Sequence, residues 1–238
     1  MFVIKRKNII IVAVLIITAI TFITCFGAIS SKTVSDSLSN KIKIVLDAGH
    51  GGIDGGVVGV STGVKESELN LKVVKKLEKF LVDAGFFVVL TRSTDAGLYG
   101  IATTNLKRKD MEKRREIIRK TSPDLVVSVH MNKYSLASRR GAQVFYKKND
   151  ERGKLLAESI QYSFNQMEQS VRICNALTGD YYILNCSEYP SVIAECGFLS
   201  NIEDEALLIT KEYQEDVAYS IYKGIAGYLA QSSFSCEH

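Results

Sequence analysis

Three apolar runs punctuate the chain, Ile42 to Asp47, Phe86 to Thr91 and Leu125 to Val129, each too short for a helix and rich in β-branched or aromatic residues. Runs of this kind read as strands covered on both faces, which require helices packed above and below them. Helical periodicity appears between the runs. Leu69, Val73, Leu77, Phe80 and Leu81 recur at helical spacing ahead of Gly85, and Asn105 to Lys120 repeats the pattern with many charges. Farther on, Ala142 to Tyr146 reads as a strand, Leu155 to Phe164 as a helix, Val192 to Ala194 as a short strand and Glu212 to Leu229 as a closing helix. This alternation predicts an α/β fold, a three-layer sandwich with a mainly parallel central sheet flanked by helices. At 238 residues, with 46% apolar and 24% charged, the composition suits one sizeable core, expected over residues 42–233 with a short tail at 234–238.

Upstream the sequence changes character. Lys5, Arg6 and Lys7 precede an uncharged, mostly apolar run from Ile9 to about Ile29, so residues 1–29 read as a signal peptide or a membrane anchor with its basic end on the cytoplasmic side. The run approaches the roughly 20 residues that span a bilayer, which leaves cleavage and anchoring both open. Lipidation at Cys25 is a third alternative, weakened by the poor surrounding sequence Ile-Thr-Cys-Phe. Residues 30–41, serine-rich and aperiodic, read as a linker. Export would permit disulfides. Yet Cys174, Cys186, Cys196 and Cys236 show no C-x-x-C spacing, and Cys196, inside an apolar run, reads as a core residue rather than a ligand or nucleophile. The formal charge of +4 loses three when Lys5, Arg6 and Lys7 are set aside, so bulk charge names no partner.

Few residues can carry chemistry. His238 ends the chain, which leaves His50 and His130, each just beyond an apolar strand, where open α/β sheets place their ligand sites. His50 lies in DAGHGGIDGG, whose glycines either let a ligand or metal approach closely or form a plain turn. No phosphate-loop pattern is present. Asp54 is placed to orient the His50 ring or to cap the turn. Glu66, in GVKESELNL, is either a helix-dipole cap, as Glu68 could also be, or the carboxylate that a Lewis-acid zinc site takes beside two imidazoles and an open water position. Glu195, in YPSVIAECGFLSN, ends an apolar run. A carboxylate there requires a buried partner, such as Arg92 or Arg115, or a nearby metal.

The stretches IVLDAGHGGIDGG, GVKESELNL, VVSVHMN and PSVIAECGFLSN, in this order and spacing across most of residues 42–230, resemble the zinc-dependent N-acetylmuramoyl-L-alanine amidases of the amidase-3 type. In architecture, with an N-terminal apolar segment and no wall-binding module, the chain is most similar to the spore-cortex, CwlD-type branch. The resemblance implies that His50, Glu66 and His130 hold Zn2+ and that Glu195 is the catalytic carboxylate. It implies hydrolysis of the amide between the muramic acid lactyl group and the L-alanine of the stem peptide in peptidoglycan. In the spore-cortex branch this cut leads towards muramic lactam and is needed for germination. An extracytoplasmic enzyme, secreted or anchored at the cell wall or spore cortex, is thereby expected. Two departures stand out: Ala48 replaces a usual proline, and Met131 with NKYSLASRRG replaces a smaller residue and a tighter turn. The first is expected to loosen the His50 loop, and the second bears on how substrate is gripped.

Two rivals remain at this stage. A zinc carboxypeptidase-like peptidase takes its first ligands as H-x-x-E, but the third residue after His50 is Ile53. The other is a non-catalytic wall-binding domain. NLKRKDMEKRREIIRK, with eight Lys or Arg against three acidic residues, reads as a solvated helix face or as an attractor of anionic wall polymers, and no nucleic acid is expected for an exported chain. The acidic cluster Glu203, Asp204 and Glu205 reads as surface. Expected partners are peptidoglycan, the membrane if the N-terminal segment is retained, and an accessory targeting or activating protein.

Overall fold

A computed structural model describes residues 41–234. The expected signal peptide or anchor, the linker up to residue 40, Cys25, Cys236 and the tail beyond 234 lie outside the described residues. Six strands form one sheet: β1 (Lys43–Ala48), β2 (Phe87–Leu90), β3 (Leu125–Asn132), β4 (Gln143–Tyr146), β5 (Leu177–Thr178) and β6 (Ser191–Phe198). Their spatial order is β2-β1-β3-β6-β4-β5. The first four are mutually parallel, whereas β4 runs antiparallel to β6 and carries β5 parallel to itself. The mainly parallel sheet expected from sequence is present, with a reversed pair at one edge. The helices are α1 (Glu66–Asp83), α2 (Leu106–Thr121), α3 (Glu151–Asn165), α4 (Tyr182–Asn185), α5 (Ile202–Leu208) and α6 (Lys211–Phe234).

Strand alternation divides the apolar side chains between two cores. Ile44, Leu46, Val127, Val129, Val192 and Ala194 pack beneath α1, α3 and α6. Val45, Val126 and Ile193 face the other way, onto Ile118 of α2 and Ile183 and Leu184 of α4. Because side chains on a strand alternate with period two, Asp47, Ser128, His130 and Glu195 share the second face. Cys196 falls on the first, fully buried, as its apolar surroundings predict. These four strand residues therefore lie on the side of the sheet covered by α2 and α4. Among the described residues no helix is long and apolar enough to cross a membrane.

Several expectations need correction. The strand read as Val192 to Ala194 runs for eight residues and carries Glu195 inside it, because Glu195 and Gly197 interrupt the apolar pattern without ending the ladder. β2 lies at the edge of the sheet; Val88 and Leu90 pack on one core and Val89 on the other, so both faces are covered as expected, but Phe87 at its start is exposed. The acidic cluster is not surface. Asn201 caps α5 by accepting from the Asp204 backbone N–H, and the cluster occupies that helix's first turn. Asp204 accepts from the N–H groups of Gly141 and Phe198, and Glu205, fully buried, accepts from Ser61 and Thr62. Only Glu203 stays outside, beside Arg140. Nor is α2 wholly solvated, since Arg114 is buried while Arg108, Lys113 and Lys120 form exposed intrahelical ion pairs.

The outer contact of α3 with α6 depends on Gly224. A Cβ there would stand 2.5 Å from Ile160 Cα, a backbone atom that cannot swing aside. Gly224→Ala is therefore expected to lower stability by about 1–3 kcal/mol despite alanine's higher helix propensity, read from the urea midpoint. An unchanged or higher midpoint would show that the two helices can part at no cost.

Candidate metal and catalytic site

β1 ends at Ala48 and the chain turns sharply through Gly49 and His50. His50 holds a left-handed backbone, φ 61°, which costs a non-glycine residue about 1–2 kcal/mol unless its surroundings impose it. Glycine is required beside it for space. A Cβ at Gly49 would lie 2.2 Å from the His130 ring, and one at Gly56 would lie 2.4 Å from Glu66 Oε2 and 2.8 Å from His50 Cδ2. The glycines thus make room for the candidate ligand side chains themselves, a more specific role than the approach of an external ligand.

Three side chains from distant parts of the chain meet here. His130 projects from the end of β3, at a shift in the β3–β6 register, and Glu66 opens α1. Glu66 Oε2 lies 3.2 Å from His50 Nε2, and Glu66 Oε1 lies 2.9 Å from His130 Nδ1. One ligand atom from each of the three residues falls within 4.8 Å of the other two. Glu66 is buried, and its carboxylate is fixed further by the Val57 and Met131 N–H groups and by Asn70 Nδ2. Burial alone would raise its pKa, but the two imidazoles outweigh that and hold it well below the ordinary carboxylate range. For His50 burial works against protonation, and the Glu66 and Asp54 carboxylates more than offset it, so its pKa is raised. Asp54 accepts from Gly56 N–H, the turn-capping role weighed from sequence, and its Oδ1 also approaches His50 Nδ1 at 3.0 Å. The contact with the ring lacks hydrogen-bond alignment, leaving His50 Nδ1 without a bonded partner. Two imidazoles and a carboxylate converging in this way form a donor set suited to a divalent cation.

Glu195 stands next to His130, its register partner across β3 and β6. It is 9% exposed and forms no salt bridge with Arg92 or Arg115. Its Oε2 is buried without a hydrogen-bond partner. Burial, reinforced by the nearby Glu66 charge against the opposing histidines, pushes its pKa up to about 7. An orphaned carboxyl of this kind, beside an array of ligands, fits a group that exchanges a proton with something bound in the cleft. The cleft measures about 430 Å³ and is bounded by Lys107 and Met111 of α2, Lys133, and the Tyr181–Ile183 segment. Sequence reasoning did not reach those tyrosines, because nothing in their pattern distinguishes them from an ordinary turn.

The Asp47 carboxylate below the site behaves oppositely to Glu195. Its burial is overcome by Arg114 at 2.5 Å and by the Ser128 and Thr91 hydroxyls, which hold it down at about 2. In the metal-free protein Glu195 binds its proton more tightly folded than unfolded, so folding stability should fall as pH rises from about 4.5 to about 7. A carboxyl moved over that range corresponds to about 3 kcal/mol at most. Glu195→Gln is expected to flatten this part of the pH–stability profile of the metal-free domain. A slope equally steep in the variant would show that Glu195 is not the group responsible.

Comparison with known proteins places this arrangement in a family. Residues 44–227 match the Amidase_3 family, described as N-acetylmuramoyl-L-alanine amidase. The chain is 34% identical over 206 residues to the germination-specific N-acetylmuramoyl-L-alanine amidase of Bacillus subtilis, with 85% of each chain covered. Its fold is similar to that of the CwlD amidase from Clostridioides difficile, solved in complex with the GerS lipoprotein, with a TM-score of 0.77, 35% identity, and 80% and 99% of the two chains covered. The catalytic domain of CwlV from Bacillus (Paenibacillus) polymyxa is also similar, with a TM-score of 0.68, 28% identity, and 79% and 98% covered. Matched along this length and in this fold, the chain belongs to the Amidase_3 family of N-acetylmuramoyl-L-alanine amidases, hydrolases of an amide bond.

Proposed function

We propose that this chain is a zinc-dependent amidase that works outside the cytoplasmic membrane on peptidoglycan of the spore cortex, with His50, Glu66 and His130 as metal ligands and Glu195 as catalytic acid and base. The observation that carries the reading is the unpartnered Glu195 Oε2 on the strand next to His130, at the edge of a His-Glu-His donor set. The germination-specific relative supports the cortex assignment. The lipoprotein-bound amidase supports the expectation of an accessory partner.

Zinc in this ligand set would polarise the lactyl carbonyl and acidify a water molecule at neutral pH. Glu195 has a free oxygen in the cleft on which it would take a proton from the attacking water. It would return that proton to the alanine nitrogen as the lactyl C–N bond breaks, because an unprotonated amine is a poor leaving group. The products are a lactyl carboxylate on the glycan and a stem peptide with a free amino terminus. Asp54 would keep the His50 ring from turning, and Lys107 and Lys133 set positive charge at a cleft that receives a peptide rich in carboxylates.

Digestion of sacculi by wild type and by Glu195→Ala, followed by mass spectrometry, tests the reading. Lactyl-terminated glycans and free stem peptides are expected from the wild type only, with turnover in the folded variant reduced by at least about 100-fold. Stem peptides shortened at the far end but still joined to muramic acid would identify a carboxypeptidase instead. Treatment with a chelator is expected to abolish activity and added zinc to restore it. Full activity after exhaustive metal removal would exclude the zinc assignment.

A further inference from the structure

Two arginines outside the proposed ligand set converge on the loop that carries His50. Arg92, just after β2, is almost wholly buried, yet none of its hydrogen bonds goes to a carboxylate. Its Nε donates to Ala48 O at 2.8 Å, and its Nη1 to Thr94 O at 2.9 Å. Its Nη2 donates to both Gly49 O at 2.9 Å and Ser67 O at 2.7 Å. One nitrogen therefore bridges the residue before His50 and the residue after Glu66. Arg114, from α2, approaches the same loop from another element, with Nη1 donating to Ala48 O at 2.8 Å and Nη2 to His50 O at 2.6 Å. The carbonyls of three successive residues, 48 to 50, all end on guanidinium groups.

We propose that Arg92 and Arg114 are positioning residues for the metal centre: together they impose the left-handed backbone of His50 and set its spacing from Glu66, and so determine how tightly the donor set binds a divalent cation. The inference rests on the metal reading given above. A strained residue keeps its conformation only where its surroundings over-determine it, and carbonyls 48 to 50 are held by two planar forks anchored in different elements. Arg114 is itself fixed by Asp47 and by Asp110, whose second oxygen accepts from Leu98 N–H. Asn70 adds a second tie between the His50 loop and Glu66, donating from Nδ2 to Gly49 O and to Glu66 Oε1. The Ala48 carbonyl takes bonds from both forks, which offsets the flexibility expected from the missing proline.

Lysine retains the charge but cannot present the planar fork, so Arg92→Lys and Arg114→Lys separate charge from geometry. Each is compared with wild type and with Arg119→Lys on the exposed side of α2. Zinc affinity is measured by competition with a chromogenic chelator, the visible spectrum of the cobalt-substituted protein reports ligand geometry, and thermal melting of the metal-free form reports the fold. Folded Arg92→Lys is expected to bind zinc about 10- to 100-fold more weakly, with an altered cobalt spectrum, while Arg119→Lys matches wild type. Zinc affinity and cobalt spectrum unchanged in both folded lysine variants would overturn the proposal, leaving the arginines a purely structural part. A lysine at 114 has no fork with which to hold Asp47 and Asp110 at once, so Arg114→Lys is the more prone to misfold and Arg92→Lys decides. Failure of both to fold would also assign the arginines to folding alone. Absence of zinc binding by wild type would instead remove the metal reading on which the inference stands.

Discussion

A buried ion pair at the end of β1 organises the molecule around it. Asp47 has no access to solvent that would let it stay charged alone, and Arg114 enters from α2 to meet it. Breaking such a pair from one side costs about 3–5 kcal/mol, because the remaining charge is stranded. The cost falls on geometry, since Thr91 beyond β2 and Ser128 of β3 also donate to Asp47. One carboxylate thereby registers three segments of the sheet against a helix. A slide of α2 along the sheet would separate the pair and open the floor of the cleft.

Much of this was legible in the sequence for a simple reason. In strands packed on both faces, the period of two assigns sides without further information, so Asp47, His130 and Glu195 could be placed once their strands were recognised. The apolar runs marked where β1 and β3 lie, but β3 continues through His130 to Asn132, past the point where its run was read to stop. Other elements were hidden by chemistry that imitates solvent exposure. Glu203, Asp204 and Glu205 have the composition of a surface loop, and only the preceding Asn201, a helix-capping residue, could have exposed them as a first turn. Arg114 was lost among eight basic residues because burial within a charged helix depends on a partner 67 positions away.

The glycines tell a similar story of partial legibility. Their clustering marked the loop as special, but whether a side chain was forbidden by backbone angle or by a neighbour is a three-dimensional question. At Gly49 the obstacle is the His130 ring, contributed by another strand. No local reading of DAGHGGIDGG contains that fact. The same holds for the Tyr181–Ile183 wall of the cleft, formed by the start of a four-residue helix and the residue before it, too short to leave a periodic signal.

His130 and Glu195 are opposite numbers on adjacent hydrogen-bonded strands in the interior of a six-stranded sheet. Neighbouring strands sit about 4.8 Å apart and cannot be pulled closer or farther without breaking the ladder. The His130–Glu195 pair is therefore part of the frame, whereas the rim of the cleft hangs from the segment after β3 and from α4. Substitutions at the rim can therefore reshape the opening of the cleft without altering the distance between these two inner side chains.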